Sequence, residues 1–565
     1  MQLFIDGTPA EPLQGESLMA ILKRTGLDSG TLSTRPIAAR LGGGIFSLNY
    51  VPCRAGEERL RRAVRLAHGQ VELLRITSEA GRNVYERSLL FLFLLAVRRR
   101  LPGVRVHVQY ALGQGIYCTL DRDAALTEAD VAVLKEECAA IVRENLTFSR
   151  ERMDIDDAIE FFSAEGQTDK TELLEWRNFT YFDVYRAGGM TDYFYGEMVP
   201  STGYLTVSDL CLTDDGGILV MMPDAAAPDT AAKPQPMPRL SAIYRESNEW
   251  NHLMHCGNVA ELNRKVLSRD IRQLVRINEA LHEKRYAQIA DQIVSRGARA
   301  VLIAGPSSSG KTTSANRLCT QLSVHGKQPV LMSLDDYYID RDKILPDENG
   351  EIDLEHIDTI DTAFFREVLS ALLRGEEVQP PRFDFTTGRR VMDQPAVRAD
   401  GDTIFVIEGL HGLNPVLLPD SVDRSLIFRL YVSALTTLNL DDHNRISTSS
   451  IRLLRRMVRD FETRGTDVES TIAMWPSVRR GEERWIFPFQ EQADAIFNTS
   501  LVYEPLVLKR HIFMLLQTVR PDSPCYDKAK DIIKFLNYFL EADIEDEIPP
   551  TSILREFIGG NSFYR

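Results

Sequence analysis

The stretch Ala300–Leu318, AVLIAGPSSSGKTTSANRL, joins an apolar run, a glycine-bounded loop and a segment with helical spacing. Val301 to Ala304 reads as a short buried strand, and from Thr313 onward Leu318 and Leu322 fall on one helical face. Between them, Gly305-x-x-x-x-Gly310-Lys311-Thr312 has the spacing of a phosphate-binding P-loop. Glycines let backbone N–H groups curl around an anion, Lys311 can neutralise β and γ oxygens, and the Thr312 hydroxyl can ligate Mg²⁺. Gly305, Pro306, Ser307, Ser308, Ser309, Gly310, Lys311, Thr312 and Thr313 are therefore the candidate nucleotide contacts. A ligand-free serine- and glycine-rich turn is the plain alternative, and the strand-loop-helix context weighs against it.

The 565 residues exceed what one hydrophobic core serves and suggest three or four domains. Sixty-six basic against eighty-one acidic side chains leave a formal charge of −15, which disfavours sequence-independent binding to nucleic acid or an anionic membrane. Seven scattered cysteines, none in a C-x-x-C pair, imply reduced thiols and no disulfide framework. No secretory signal is evident at the start, and Leu89 to Val97, LLFLFLLAV, is too short to cross a bilayer and reads as a buried helix, so the expected location is the cytoplasm.

Along the chain, Gln2 to Ile5, an Asp6-Gly7 turn and Pro9 to Pro12 form an expected hairpin, followed by a helix over Ser17 to Arg24. Helices are expected over Val84–Arg100, Glu128–Asn145 and Arg150–Glu165, with strands over Val104–Tyr110 and Gly115–Leu120. Pro223 to Pro238, PDAAAPDTAAKPQPMP, is the linker candidate. His252-x-x-His255-Cys256 has ligand chemistry but no matching partner pair, and is read as an ordinary polar face.

The opening MQLFIDGTPAEPLQGESLMAILK, the segment ITSEAGRNVYERS and the late VPSTG at Val199–Gly203 resemble the TGS domain and the second additional domain of threonyl-tRNA synthetases. In that family the second unit edits mischarged tRNA through H-x-x-x-H and C-x-x-x-H pairs. The matching positions here are Arg87, Phe91, Phe194 and Met198, none of which supplies an ordinary zinc donor, so the editing chemistry is expected to be absent.

After the P-loop, the chain resembles the uridine kinase and phosphoribulokinase family. Pro329 to Leu334 reads as a strand ending in Asp335-Asp336-Tyr337-Tyr338, similar to the family's D-S-F-Y. Asp335 is the candidate catalytic base, with Asp336 as rival and a helix-capping role as the plain alternative; Asp336 and Tyr338 are placed beside the substrate. Asp353-Leu-Glu-His-Ile-Asp-Thr-Ile-Asp361 resembles N-F-D-H-P-D-A-F-D and puts Glu355 where the family holds ribose hydroxyls, while Asp358 and Asp361 read as caps. Pro381 to Arg390, PRFDFTTGRR, aligns with P-x-Y-D-F-x-x-H-x-R, keeping Arg390 but replacing two base-reading groups by Phe383 and Gly388. Thr403 to Glu408, TIFVIE, is a Walker-B-like strand whose Glu408 lies near Mg²⁺ in the family. Ile451 to Arg464 sets Arg452, Arg455, Arg456 and Arg459 on one helical face; the resemblance makes Arg455, Arg459 and Arg464 a phosphate-clamping lid, against a solvated cationic face paired with Asp460 and Glu462 as the alternative. Gln492 to Phe497 resembles the family's closing strand.

The expected fold is an α/β P-loop kinase domain, a mostly parallel sheet wrapped by helices, preceded by two α+β modules, one a β-grasp TGS-like unit and one synthetase editing-domain-like. The expected divisions are 1–78, 79–222, a connector over 223–284, the kinase over 285–510, and a helical tail over 511–565 assigned to packing or oligomer contact. Function follows from the resemblance: an ATP- and Mg²⁺-dependent kinase acting on a nucleoside hydroxyl. A sugar, sugar phosphate or polyol acceptor is the second reading. The third is a tRNA- or ribosome-associated NTPase supported by Arg59, Arg61, Arg62 and Arg65.

Overall fold

The structure, a computed structural model, describes residues 2–52, 62, 64, 65, 67–177, 179–344 and 355–563. Arg59, Arg61 and Asp353 lie outside the described residues. No helix among the described residues is long and apolar enough to cross a membrane.

The chain opens with Leu3–Ile5 paired antiparallel to Thr8–Ala10. Asp6 and Gly7 both have positive φ, 45° and 82°, the geometry of a two-residue hairpin turn whose twist matches the strands. Ser17 caps the helix Leu18–Thr25 through a 3.2 Å bond from the Ala20 N–H. That helix buries Leu18, Ile21 and Leu22 against a five-stranded sheet ordered Thr8–Ala10, Leu3–Ile5, Gln70–Leu74, Ala38–Leu41, Gly44–Phe46.

The helix Glu79–Arg100 follows, and Leu89 through Val97 within it are all buried. It packs beneath a four-stranded antiparallel sheet ordered Asp209–Leu212, Ile218–Met221, Gly115–Leu120, Val106–Leu112. One expectation fails here. Arg150–Glu165 is not a single helix: Ser149–Asp154 is a strand antiparallel to Tyr181–Ala187, and only Ile155–Ala164 is helical, capped by Asp154. The strand wins because Arg150 and Arg152 reach across to Asp183 at 2.6 and 3.2 Å, cross-strand ion pairs that a helix would separate. His252 ends the helix Pro238–Leu253, while Cys256 enters the apolar core, where burial pushes its thiol up to about 12.

The C-terminal half is built on five parallel strands in the order Gln328–Ser333, Thr403–Glu408, Ala300–Ala304, Ile427–Ser433, Ala495–Asn498. Ala300–Ala304 is buried throughout, as a central strand covered on both faces must be. The helices Ile271–Arg296 and Lys311–Val324 cover one face of this sheet, and Thr362–Leu373 covers the other. Every strand points its carboxyl end to the same edge, where the P-loop turns.

Segment 439–445 of the C-terminal half makes a polar seam with the N-terminal half. Asp442 accepts from Arg105 at 2.9 Å and faces His107 Nδ1 at 3.0 Å, and the Val108 N–H donates to the Asp442 carbonyl at 2.7 Å. His443 lies 2.7 Å from Asp192, which is also paired with the fully buried Lys170 at 3.0 Å. Burial alone would lower the His107 pKa, but Asp442 and Asp121 overcome it and raise it to about 9. A histidine held above its unfolded value near 6.5 contributes stability that is complete below that pH and lost as pH rises through about 9. The thermal midpoint is therefore expected to fall between pH 6.5 and 9, and Asp442→Asn is expected to flatten that slope; an unchanged slope in the variant would remove this contact as its source.

Candidate active site

Gly305 leaves the central strand so close to its neighbour that an added Cβ would sit 2.0 Å from the Val432 carbonyl oxygen, so only glycine fits. Ser308 adopts φ 58° and Gly310 φ 85°, the left-handed geometry that turns successive N–H groups inward to form an anion nest. Lys311 begins the following helix and its ammonium donates to the Pro306 carbonyl at 3.3 Å, across the mouth of the loop.

Two arginines hold the loop from below. Arg452 donates to the Ser307 carbonyl at 2.9 Å and pairs with Glu482. Arg455 pairs with Glu504 at 2.6 Å, donates to Thr499 Oγ1 and its carbonyl, and reaches the Ser308 carbonyl at 3.4 Å. Both guanidiniums are fully buried. This corrects the expectation for Arg455 as a mobile phosphate clamp: acidic partners from later helices bury it under the loop, where it shapes the backbone. The helix Thr448–Arg464 likewise does not present one exposed cationic face, because Ile451, Leu454 and Val458 on one side and Arg452 and Arg455 on the other are all buried.

Asp460, also buried, gathers the remaining guanidiniums: Arg456 at 3.2 Å, Arg459 at 3.1 Å and Arg464 at 3.3 Å. Arg456 in addition donates to Ser307 Oγ at 3.0 Å. Arg464 is half exposed and close enough to Asp335 to act on its charge. Arg459 and Arg464 thus stand at the rim, tethered by one carboxylate.

At the strand ends, Asp335 and Asp336 occupy a short 3₁₀ turn, Leu334–Tyr337, capped by Ser333. Burial raises the Asp335 pKa; the nearby Lys311 opposes the shift and Asp336 adds to it, and the Tyr338 hydroxyl is hydrogen-bonded to it. Glu408 ends the neighbouring strand and accepts from the Thr312 hydroxyl at 3.3 Å. Its carboxyl is pushed up to about 7 by burial and then by Asp335, with Lys311 opposing. Glu355 is also raised to about 7, by burial and then by Glu482, with Arg456 and Lys311 opposing. One lysine therefore acts on three desolvated carboxylates, the kind of cluster in which perturbed acids mark a reaction centre. A hydroxyl and a carboxylate in contact form an all-oxygen donor set of the type Mg²⁺ takes, so the residues present fit that ion.

Next to Asp336 stands a short hairpin, Arg382–Asp384 with Arg389–Val391, tied to it when Asp336 accepts from the Phe383 N–H at 3.1 Å. Phe383 is buried and makes edge contacts with Tyr338 and Phe385, centroids 5.6 and 5.2 Å away. Gly388 has φ 69°, a conformation a larger residue would enter only with strain. Arg390 pairs with Asp361 at 2.8 Å and lies over the Phe364 ring, so it braces the hairpin. Asp361 also caps the helix Thr362–Leu373, and Asp358 is exposed.

In the N-terminal half, the four positions matching the synthetase editing ligands do come together, but as packing. Phe91 and Phe194 lie 6.0 Å apart, Met198 is buried beside them, and Arg87 donates to the Glu197 carbonyl at 3.1 Å. Among the described residues no cluster of histidine, cysteine and carboxylate groups suits a metal.

Sequence reasoning missed Glu482, Glu504 and Glu556. Glu482 also accepts from the Ser307 N–H of the loop at 2.9 Å, and Glu556 from the Thr313 hydroxyl at 2.7 Å. The tail, expected to serve packing or oligomer contact, therefore also reaches the first turn of the helix that follows the P-loop.

Residues 300–502 match the model of the Phosphoribulokinase / Uridine kinase family. Uridine kinase of Brevibacillus brevis is 28% identical over 196 residues, 34% of this chain and 81% of its own. Threonine–tRNA ligase of Desulforamulus reducens is 26% identical over 201 residues, 35% of this chain but only 29% of the ligase. A solved D-glycerate 3-kinase from Cryptococcus neoformans aligns over 47% of this chain and 89% of its own, with 16% identity and a TM-score of 0.22. With the parallel sheet and the loop geometry, the match marks residues 300–502 as a P-loop kinase-like domain similar to the phosphoribulokinase/uridine kinase family.

Removing one partner of a buried ion pair leaves an uncompensated charge, so Arg455→Ala is expected to lower unfolding free energy by about 3–5 kcal/mol, read from the urea midpoint. Pairing Arg455→Met with Glu504→Leu is expected to restore much of that loss but not nucleotide affinity, since the Ser308 anchor stays missing. A single-variant loss well under 1 kcal/mol would show that the pair does not hold the loop.

Proposed function

We propose that this protein is an ATP- and Mg²⁺-dependent phosphotransferase that moves the γ-phosphoryl group to a hydroxyl of a nucleoside. The observation that carries this reading is the convergence of Lys311, Thr312, Asp335 and Glu408 at the carboxyl edge of one parallel sheet. Loop N–H groups and Lys311 bind the phosphates, with Lys311 placed to follow charge from the β to the γ oxygens. Thr312 and Glu408 would hold Mg²⁺, which when bound neutralises phosphate charge. Asp335 accepts the proton of the acceptor hydroxyl, and its raised pKa suits a group that must take a proton in the transition state. Glu355 receives hydrogen bonds from a vicinal diol, Asp336, Tyr338, Phe383 and Arg390 line the acceptor side, and Arg459 and Arg464 meet the transferring group at the rim.

Phe383 and Gly388 favour a second reading on a specific ground. Tyr338, Phe383 and Phe385 form an aromatic cluster, and the base-reading hydroxyl and imidazole of the family pattern are replaced. A sugar or polyol acceptor needs only the diol contact and such a cluster. In either reading the two N-terminal modules serve as binding or scaffolding units derived from a synthetase-like pair, without editing chemistry.

The deciding measurement is ADP release from ATP and Mg²⁺ against nucleosides, pentoses, polyols and tRNA, with Lys311→Ala as the blank. Stimulation by a nucleoside is expected; stimulation by a polyol alone moves the substrate class, and stimulation by tRNA alone overturns the metabolic kinase. Asp335→Asn is expected to lower turnover by roughly 10²–10⁴-fold while ATP affinity stays near normal, and unchanged turnover would remove Asp335 as the base.

A further inference from the structure

The C-terminal tail runs from the N-terminal half to the nucleotide loop along a traceable set of contacts. Its helix Tyr526–Leu536 is held by the first two modules: the Ile45 N–H donates to Asp527 at 2.7 Å, the Tyr195 hydroxyl to the Asp531 carbonyl at 2.6 Å, and the Tyr193 and Tyr538 hydroxyls meet at 2.8 Å. Next, Asp546 and Glu547 are pinned to Arg272 and Arg276 on the helix Ile271–Arg296, at 2.7 to 2.8 Å. Pro549 and Pro550 then redirect the chain, and the Ser552 hydroxyl donates to Glu279 at 2.6 Å.

From there the tail enters the loop itself. Ile553 lies so close to Gly310 that an added Cβ would meet its Cγ2 at 2.8 Å. Phe557 is fully buried with the Arg455 guanidinium 5.1 Å from its ring centroid. Between them Glu556 accepts from the Thr313 hydroxyl at 2.7 Å and from the Thr313 N–H at 3.3 Å, while Asn561 approaches the same hydroxyl at 3.4 Å. A carboxylate thus sits at the positive end of the very helix whose first-turn N–H groups would receive a nucleotide phosphate. It also adds negative charge beside Glu408, whose carboxyl it helps to raise.

We propose that residues 549–561 form a built-in stopper of the nucleotide site, in which Glu556 occupies the place of a phosphate oxygen on Thr313. This rests on the kinase reading above and adds the regulation of that site. One N–H cannot serve a carboxylate and a phosphate together, and two anions at that spacing repel. Nucleotide entry therefore requires Glu556 to leave Thr313, and the apparent affinity is reduced by the fraction of molecules with the stopper in place.

The test uses the full chain, wild type and Glu556→Gln, with ADP and Mg²⁺ as the probe. Titration calorimetry is expected to show roughly tenfold tighter ADP binding in the variant, because the charged competitor becomes a neutral one. Hydrogen exchange on the wild type needs no variant: saturating ADP is expected to speed exchange of the amides over 552–561. Equal affinities together with a segment as protected in the ADP complex as without it would overturn the stopper, whatever the acceptor panel gives. Release of the segment by ADP, with no acceptor phosphorylated, would sink the kinase reading and leave the stopper standing. If neither protein binds ADP, both fall.

Discussion

Two buried ion pairs, Arg452 with Glu482 and Arg455 with Glu504, carry the loop on which the C-terminal half depends. Sequestering four charges is expensive, and the cost is offset only because each guanidinium spends its remaining donors on loop or strand-end oxygens: Ser307, Ser308 and Thr499. The helix Thr448–Arg464 is consequently fixed against the sheet, and the loop's left-handed turn at Ser308 is stabilised from both sides. What looks in sequence like a basic lid is for the most part a foundation.

The electrostatics above that foundation run the other way. Asp335, Glu355 and Glu408 are desolvated together, and Lys311 is the cation that moderates all three. Such an arrangement favours carboxyls that hold protons readily and a strong preference for incoming positive charge, so the site is organised around what enters it. Asp460 plays the complementary part, pairing with Arg456, Arg459 and Arg464, of which Arg464 alone is half exposed.

The elements legible in the sequence were those whose cause is local. An apolar run closed by Gly305, an acid at the end of TIFVIE, and Asp6-Gly7 between two alternating segments each dictate their structure within a few residues. Within Arg150–Glu165 the helical expectation holds over Ile155–Ala164 and fails over Arg150–Asp154, whose charged alternation fits a strand face as well as a helix face until the distant Asp183 decides between them. The supports of the loop were hidden for the same reason. Glu482 lies 30 residues from Arg452, Glu504 lies 49 from Arg455, and Glu556 lies 243 from Thr313. Nothing in the spacing of those glutamates marks them, since a partner chosen by tertiary folding leaves no periodicity.

The seam at residues 439–445 makes the two halves answerable to each other. Lys170, Asp192 and Asp441 are sealed from water there: Lys170 and Asp192 pair within the N-terminal half, His443 reaches both from the other side at 2.9 and 2.7 Å, and Asp441 lies 3.9 Å from Lys170. Separating the halves would take His443 from Asp192 and Asp441 from Lys170, and altering any of them singly within the closed seam would leave an unmatched charge in the interior. Each half therefore restricts the other: a side chain on one side of the seam can change only if its buried partner across the seam changes with it.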